Sequence, residues 1–223
     1  MEQKKPDNDI KIVVKPNIDT NNSLLYLFLK RATDIVFSIL GMIALSPLML
    51  IIAIAIKLES KGPVFFGQNR VGLNGKQFKM YKFRSMVVNA EDLLDKLHDK
   101  NEMSGPMFKM KDDPRITKIG RFIRKTSIDE LPQLYNVLIG EMSLVGPRPN
   151  LPKEVIQFSE AQKQKLIVKP GITCYWQVMG RNNIDFERWV ELDVKYIRER
   201  NFWLDMKLIL KTFTVLFGDE NAC

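Results

Sequence analysis

A chain of 223 residues with two cysteines and one histidine has room for one globular domain. Its three nitrogen or sulfur ligands fall one short of a structural zinc site. Cys174 and Cys223 do not make a disulfide framework, and no G-x-x-x-x-G-K-[ST] or G-x-G-x-x-G string occurs, which excludes the P-loop and Rossmann modes of nucleotide binding. The formal charge is +8; residues 1–56 hold six basic and five acidic side chains, so +7 sits on 57–223. A basic body attracts nucleic acid, anionic lipid or phosphorylated small molecules, and charge alone does not choose among them.

Residues 1–22 are polar and without apolar period, the pattern of a disordered tail. Residues 35–56 then carry no charge over 22 positions, a length of about 33 Å as a helix and enough to cross a bilayer. The run lies too far from the first residue and is too long for a signal peptide. Ser46-Pro47 sits in its middle, where proline removes a backbone donor and predicts a break. Lys30 and Arg31 precede the run and Lys57 and Lys61 follow it, so the charge rule gives no orientation. A single spanning helix and a re-entrant hairpin are both readable here; proline and charge together favour the hairpin.

Beyond the apolar run the pattern is α+β, a helix-rich body with short strands. Val64 to Phe66 and Gln77 to Phe83 read as strands joined around Asn74-Gly75, the dipeptide of tight hairpins. Asn89 is placed to cap a helix to about His98, with Glu91 and Asp92 in its first turn, where the helix dipole favours negative charge. Such acids serve as ligands of a hard cation or as ordinary surface charge. Thr117 opens a turn with Ile119, Phe122 and Ile123 on one side and Lys118, Arg121, Arg124 and Lys125 on the other. Ser127-Ile128-Asp129-Glu130 matches the capping box, and Leu131, Leu134 and Leu138 follow at helical spacing to Gly140. On that reading Asp129 and Glu130 are capping residues.

Gly146-Pro147-Arg148-Pro149 restricts the backbone on both sides of Arg148. After a turn at Lys169-Pro170-Gly171, Asp185 to Arg198 is an amphipathic helix carrying Asp193. Phe202 to Phe217 has the composition of a helix in a membrane interface, or of one closing a soluble core.

Taken together, Lys30-Arg31-x-x-Asp34, the Ser46-Pro47 break, Tyr81-Lys82-Phe83-Arg84-Ser85-Met86, Asp129-Glu130-Leu131-Pro132-Gln133, Val145-Gly146-Pro147-Arg148-Pro149, Lys169-Pro170-Gly171-Ile172-Thr173 and Gly180-Arg181-Asn182, in this order, resemble the monotopic phosphoglycosyl transferases, the bacterial sugar transferase family. The likeness runs from about residue 25 to 217 and is closest to the short, catalytic-core form without extra transmembrane helices. It implies a disordered tail over 1–22, a re-entrant membrane hairpin over 23–58 and a cytoplasmic catalytic domain over 59–223 with interfacial amphipathic helices. It implies transfer of a sugar 1-phosphate from a UDP-sugar to undecaprenyl phosphate at the cytoplasmic face of the bacterial inner membrane. UMP is released, and surface glycan assembly (capsule, exopolysaccharide or O-antigen) begins.

The family uses an Asp-Glu dyad that forms a covalent phosphosugar intermediate. The resemblance is carried here onto Glu91 and Asp92, in reversed order, as catalytic residues and as ligands of Mg²⁺. It makes Lys82, Arg84, Arg148, Arg181 and Asp193 the phosphate-site residues, for which arginine's fork is well suited. Membrane lipid is an expected partner, nucleic acid is not, and a homo-oligomer is left open. Two rival readings are a catalytically silent membrane scaffold of the same fold and a membrane-tethered nucleic-acid-binding domain.

Overall fold

The computed structural model describes residues 12–94, 97, 101, 110, 112–179 and 185–218. Its first helix, α1 (Leu24–Glu59), begins at Ser23, whose hydroxyl accepts the Tyr26 amide, and runs 36 residues with Pro47 inside. The expected break at Ser46-Pro47 therefore does not end the helix. Proline leaves the Ile43 carbonyl without its amide donor, and the Ser46 hydroxyl donates to that carbonyl at 2.8 Å. Among the described residues α1 alone is long and apolar enough to cross a membrane.

α1 is fastened at both ends to one body. Near its start, Lys30 donates to Asp205 and to the Val145 carbonyl, both at 2.9 Å. Arg31 donates to the last carbonyls of a later helix, Val137 and Leu138, each at 2.7 Å. Asp34 accepts from the Ser143 hydroxyl and the Leu144 amide. At its end, Ile52 and Ile56 pack on Phe83 and Ile123, and Glu59 accepts the amides of Lys118 and Ile119. Between these anchors Val36, Phe37, Leu40, Ile43, Leu50 and Ile51 remain exposed.

β1 (Phe65–Val71) and β2 (Gln77–Phe83) form the expected antiparallel hairpin, with Phe66 opposite Lys82. Asn74 and Gly75 both have positive φ, 55° and 80°, which is the backbone their sequence predicts. The short helix α2 (Ala90–Leu94) is followed by α3 (Lys118–Lys125), capped by the Thr117 hydroxyl on the Gly120 amide. The predicted continuation of α2 toward His98 falls largely outside the described residues.

The capping box is not formed. Ser127 lies in the left-handed region at φ 55° and caps nothing with its side chain; Ile128 to Glu130 make a single 3-10 turn, and the helix α4 (Gln133–Ile139) starts after Pro132. Gly140, at φ 87°, ends α4 as expected.

β3 (Ser143–Val145) pairs in parallel with β4 (Gly171–Thr173), and a Cβ on Gly146 or Gly171 would run into the facing backbone. Short helices α5 (Pro152–Val155), α6 (Glu160–Lys163) and α7 (Tyr175–Met179) precede the long α8 (Phe186–Glu199) and α9 (Phe202–Gly218). The core gathers around Val71, Val155, Leu166, Trp189 and Val190, and around Val145, Val168, Tyr196, Ile197 and Leu208.

The described part of the expected tail, 12–22, is laid across this body. Ile12 and Val14 pack on the first core group and Ile18 on the second. Asn17 and Thr20 bond Gln164 and the Ile197 carbonyl. Apolar contacts and hydrogen bonds together hold this stretch to the body.

Candidate active site

β2 delivers Lys82, and the loop after β3 delivers Arg148, to the same oxygen. Lys82 Nζ donates to Glu130 Oε1 at 2.8 Å and Arg148 to Glu130 Oε1 at 2.6 Å. Arg148 has little freedom. The Pro147 carbonyl accepts from the Gly171 amide, the Pro149 carbonyl from Arg70, and the Asn150 carbonyl from the Val71 amide. Its guanidinium also lies 5.9 Å from the Trp176 ring centroid, within cation–π range.

Asp129 is 7% exposed beside this triad, and no hydrogen bond to its carboxylate occurs among the described residues. Burial pushes its carboxyl upward and the charge of Glu130 adds to this, against the pull of Lys82. Burial also opposes the charge on Glu130, but Arg148 and Lys82 overcome it and hold that carboxyl far below the usual range. Burial lowers Lys82, with Glu130 acting against the shift. Arg70, 3.2 Å from the Pro149 carbonyl, is lowered to about 10 by burial and by Arg148. Two cations are thus neutralised by one carboxylate, with a second carboxylate beside it that has no hydrogen bond among the described residues.

Of the residues assigned from sequence, the structure brings Lys82 and Arg148 together. Arg84, 6% exposed, is turned away from them and donates to the Ser60 carbonyl and hydroxyl and to the Lys61 carbonyl, holding the exit of α1. Asp193 is fully buried, 2.7 Å from the equally buried Lys165. Lys165 sits over the Trp189 ring, which packs on Trp176 beneath Arg148. Asp193 thus braces the wall behind Arg148. Arg181 lies outside the described residues. Ser46 and Pro47 are both exposed in the middle of α1.

Glu91 and Asp92 are exposed on the five-residue α2, and neither carboxylate has an ion pair among the described residues. That helix is tied to the body through its first carbonyl, on Ala90, which accepts from Arg115; Arg115 is in turn paired with Asp113 at 2.6 Å. Among the described residues no group of three or more His, Cys, Asp or Glu side chains gathers as a metal site.

The residue-by-residue reading gave the pair Asp129-Glu130 a capping role only. The available signal was the order itself: Asp-Glu occurs at 129–130 and again at 219–220, the latter outside the described residues. A capping-box match gave 129–130 a sufficient local explanation.

The sequence model described as "Bacterial sugar transferase" matches residues 25–219. The chain belongs to that family. It is 52% identical, over 88% of its length, to a galactosyl transferase CpsE of Streptococcus agalactiae, of which it covers 44%. It is 45% identical, over 87% of its length, to an undecaprenyl-phosphate galactose phosphotransferase of Salmonella typhimurium, covering 42% of that protein. It is 38% identical, over 82% of its length, to the exopolysaccharide production protein ExoY of Sinorhizobium fredii, covering 83% of it. The chain thus spans under half the length of the first two and most of the third.

Proposed function

We propose that this bacterial sugar transferase moves a sugar 1-phosphate from a UDP-sugar to undecaprenyl phosphate, with Asp129 as the nucleophile. The observation that carries the reading is the convergence of Lys82 and Arg148 on Glu130 beside an untied, buried Asp129. An attacking carboxylate needs free lone pairs and nearby cations that keep it ionised. Asp129 has both, whereas Glu130 already receives Lys82 and Arg148 on its Oε1. Among the described residues no cation pairs with Glu91 or Asp92.

In this reading the diphosphate displaces Glu130 from Arg148 and Lys82, which then stabilise charge on the transferring group. An Asp129 oxygen bonds to the sugar-bearing phosphorus, the bond to the bridging oxygen breaks, and UMP leaves with that electron pair. An oxygen of the lipid phosphate next bonds to the same phosphorus and the Asp129 carboxylate is regenerated.

Two adjacent carboxylates with few other protein donors fit a magnesium ion that keeps its waters and takes phosphate oxygens as ligands. Asp129 and the released Glu130 would hold it, and when bound it supplies further charge neutralisation of the diphosphate.

The membrane part of the reading is a re-entrant α1 that enters and leaves by the cytoplasmic face of the inner membrane. It is supported by anchors at both ends of α1 on one body, Lys30 with Asp205 and Glu59 with the start of α3. A spanning helix would separate those ends by the roughly 30 Å hydrocarbon core. α9, with Trp203, Leu210 and Phe213 exposed beside Lys207 and Lys211, has the make-up of an interfacial helix.

The test is UMP release from a panel of UDP-sugars, UDP-galactose first, with and without undecaprenyl phosphate. Wild type should release UMP and label the lipid, and a phosphosugar adduct trapped without lipid should map to Asp129. An adduct on Glu91 or Asp92 instead moves the nucleophile. Absence of any UMP release overturns the transferase reading in favour of a silent scaffold.

A further inference from the structure

β1 carries Gln68 and Arg70 on the face of the hairpin that also holds Lys82. Phe66 stands opposite Lys82, Gln68 opposite Met80 and Arg70 opposite Phe78, and alternate residues of a strand share a face. Among the described residues the hydrogen bonds of Arg70 go to neutral groups alone. It donates to the Gln68 side-chain oxygen at 2.7 Å and to the Pro149 carbonyl at 3.2 Å, and its Nε is shut off from solvent without a partner. The charges of Glu130 and Glu154 favour it from a distance, but neither carboxylate pairs with it. Glu130 receives Lys82 and Arg148, and Glu154 receives the Asn150 side chain and the Leu151 amide.

A half-buried guanidinium without a counter-ion, beside the like charge of Arg148, is costly. The loop it touches is held without it. The Asn150 carbonyl accepts the Val71 amide and the Pro147 carbonyl accepts the Gly171 amide, both at 2.9 Å. A cation kept in such a place fits a site that an anion completes. Arg148 links it to the dyad: its side chain meets Lys82 at Glu130, and the carbonyl of the next residue, Pro149, receives Arg70. Three cations thus follow one another, Lys82, Arg148 and Arg70. Glu130 neutralises the first two and leaves the third.

We infer that Arg70 binds the phosphate of the leaving UMP, while Lys82 and Arg148 serve the phosphoryl group that moves to Asp129. The inference rests on the transferase reading above. A UDP-sugar brings two linked phosphates, and in-line displacement puts the leaving one on the side of the moving phosphorus away from the attacking carboxylate. Arg70, tied to Pro149 and not to the dyad, is the next cation along for that second phosphate. Its planar fork suits phosphate oxygens, and Gln68 fixes the plane of that fork.

The experiment uses the full chain in detergent, with UMP as the probe both in melting curves and in inhibition of UDP-sugar turnover. UMP should raise the melting temperature of wild type. Arg70→Gln should melt within a few degrees of wild type when UMP is absent, lose most of the UMP shift, and weaken inhibition by UMP on the order of tenfold or more, the worth of a hydrogen bond to a charged group. Arg70→Lys keeps the charge without the fork and should recover part of the response. The inference is overturned by a wild-type protein that UMP does not stabilise, by a full UMP response in Arg70→Gln, or by no gain of Arg70→Lys over Arg70→Gln. A large fall in melting temperature in both variants also overturns it, since Arg70 would then be a brace of the Pro149 loop. Melting curves need no turnover, so a wild type stabilised by UMP through Arg70 that releases none from any UDP-sugar would defeat the transferase reading and not the UMP site.

Discussion

Asp129 and Glu130 are neighbours in one 3-10 turn, yet burial moves the carboxyl of Asp129 up while Arg148 and Lys82 drive that of Glu130 down against the same burial. The two shifts have opposite consequences for stability. A carboxyl raised in the folded state binds its proton more tightly there, so the contribution of Asp129 is favourable at low pH and is lost as pH rises through its folded pKa. Glu130, depressed, contributes above its unfolded pKa and loses that contribution as pH falls. At neutral pH, Asp129→Asn should abolish transfer and leave the melting temperature at or above that of wild type. Glu130→Gln should lower stability by about 2 kcal/mol, because Lys82 and Arg148 lose the negative charge that pairs with them. A strongly destabilised Asp129→Asn, measured by thermal melting, would contradict the untied carboxylate.

Glu91→Gln and Asp92→Asn should each retain UMP release within a few-fold of wild type, since neither carboxylate is ion-paired among the described residues. Loss of activity on the scale of several kcal/mol of barrier in either variant, with the fold intact by circular dichroism, would return the dyad to 91–92.

The pairing that marks this site was hidden from the sequence for a physical reason. Local chemistry was legible: the Asn74-Gly75 turn, the helical turns after Thr117 and the long amphipathic α8 all stand where spacing put them. Glu130 finds its partners 48 and 18 residues away, and a capping box and an ion-paired dyad share one local signature. The left-handed Ser127 decides between them, and nothing in a serine announces a positive φ. The resemblance put Arg84 and Asp193 at the phosphate site; in the structure each has an interior partner, the α1 exit and Lys165, which no short-range pattern encodes.

The pH dependence of kcat/KM should be a bell narrower than free side chains would give. The acidic limb reports ionisation of Asp129 and should lie above the ordinary 3.8 of an aspartate, because burial disfavours the charge. The alkaline limb, where Lys82 loses its proton, should lie below the ordinary 10.5, again through burial, with Glu130 opposing. Removing that limb with Lys82→Arg while keeping measurable turnover would assign it.

The proposed oxygen-only site predicts a requirement for Mg²⁺ or Mn²⁺ and indifference to zinc-selective chelators. Excess EDTA should stop UMP release and added Mg²⁺ should restore it. Full turnover in EDTA would remove the metal from the reaction.

The path of α1 is testable through its two exposed ends. Leu25 and Leu58 are 69% and 83% exposed, and each lies within a few residues of an anchor, Lys30 with Asp205 and Glu59 with the amides of α3. Both anchors are on the body that carries Lys82, Glu130 and Arg148, so the two ends share one side of the membrane if α1 turns back within it. Single cysteines at Leu25→Cys and Leu58→Cys, in a chain with Cys174→Ala and Cys223→Ala, should both resist an impermeant maleimide in intact cells. Both should react after lysis. Reaction of one position alone in intact cells would mean that α1 spans the bilayer, and the contacts of Lys30 with Asp205 and Val145 would then have to be broken in the membrane-bound protein.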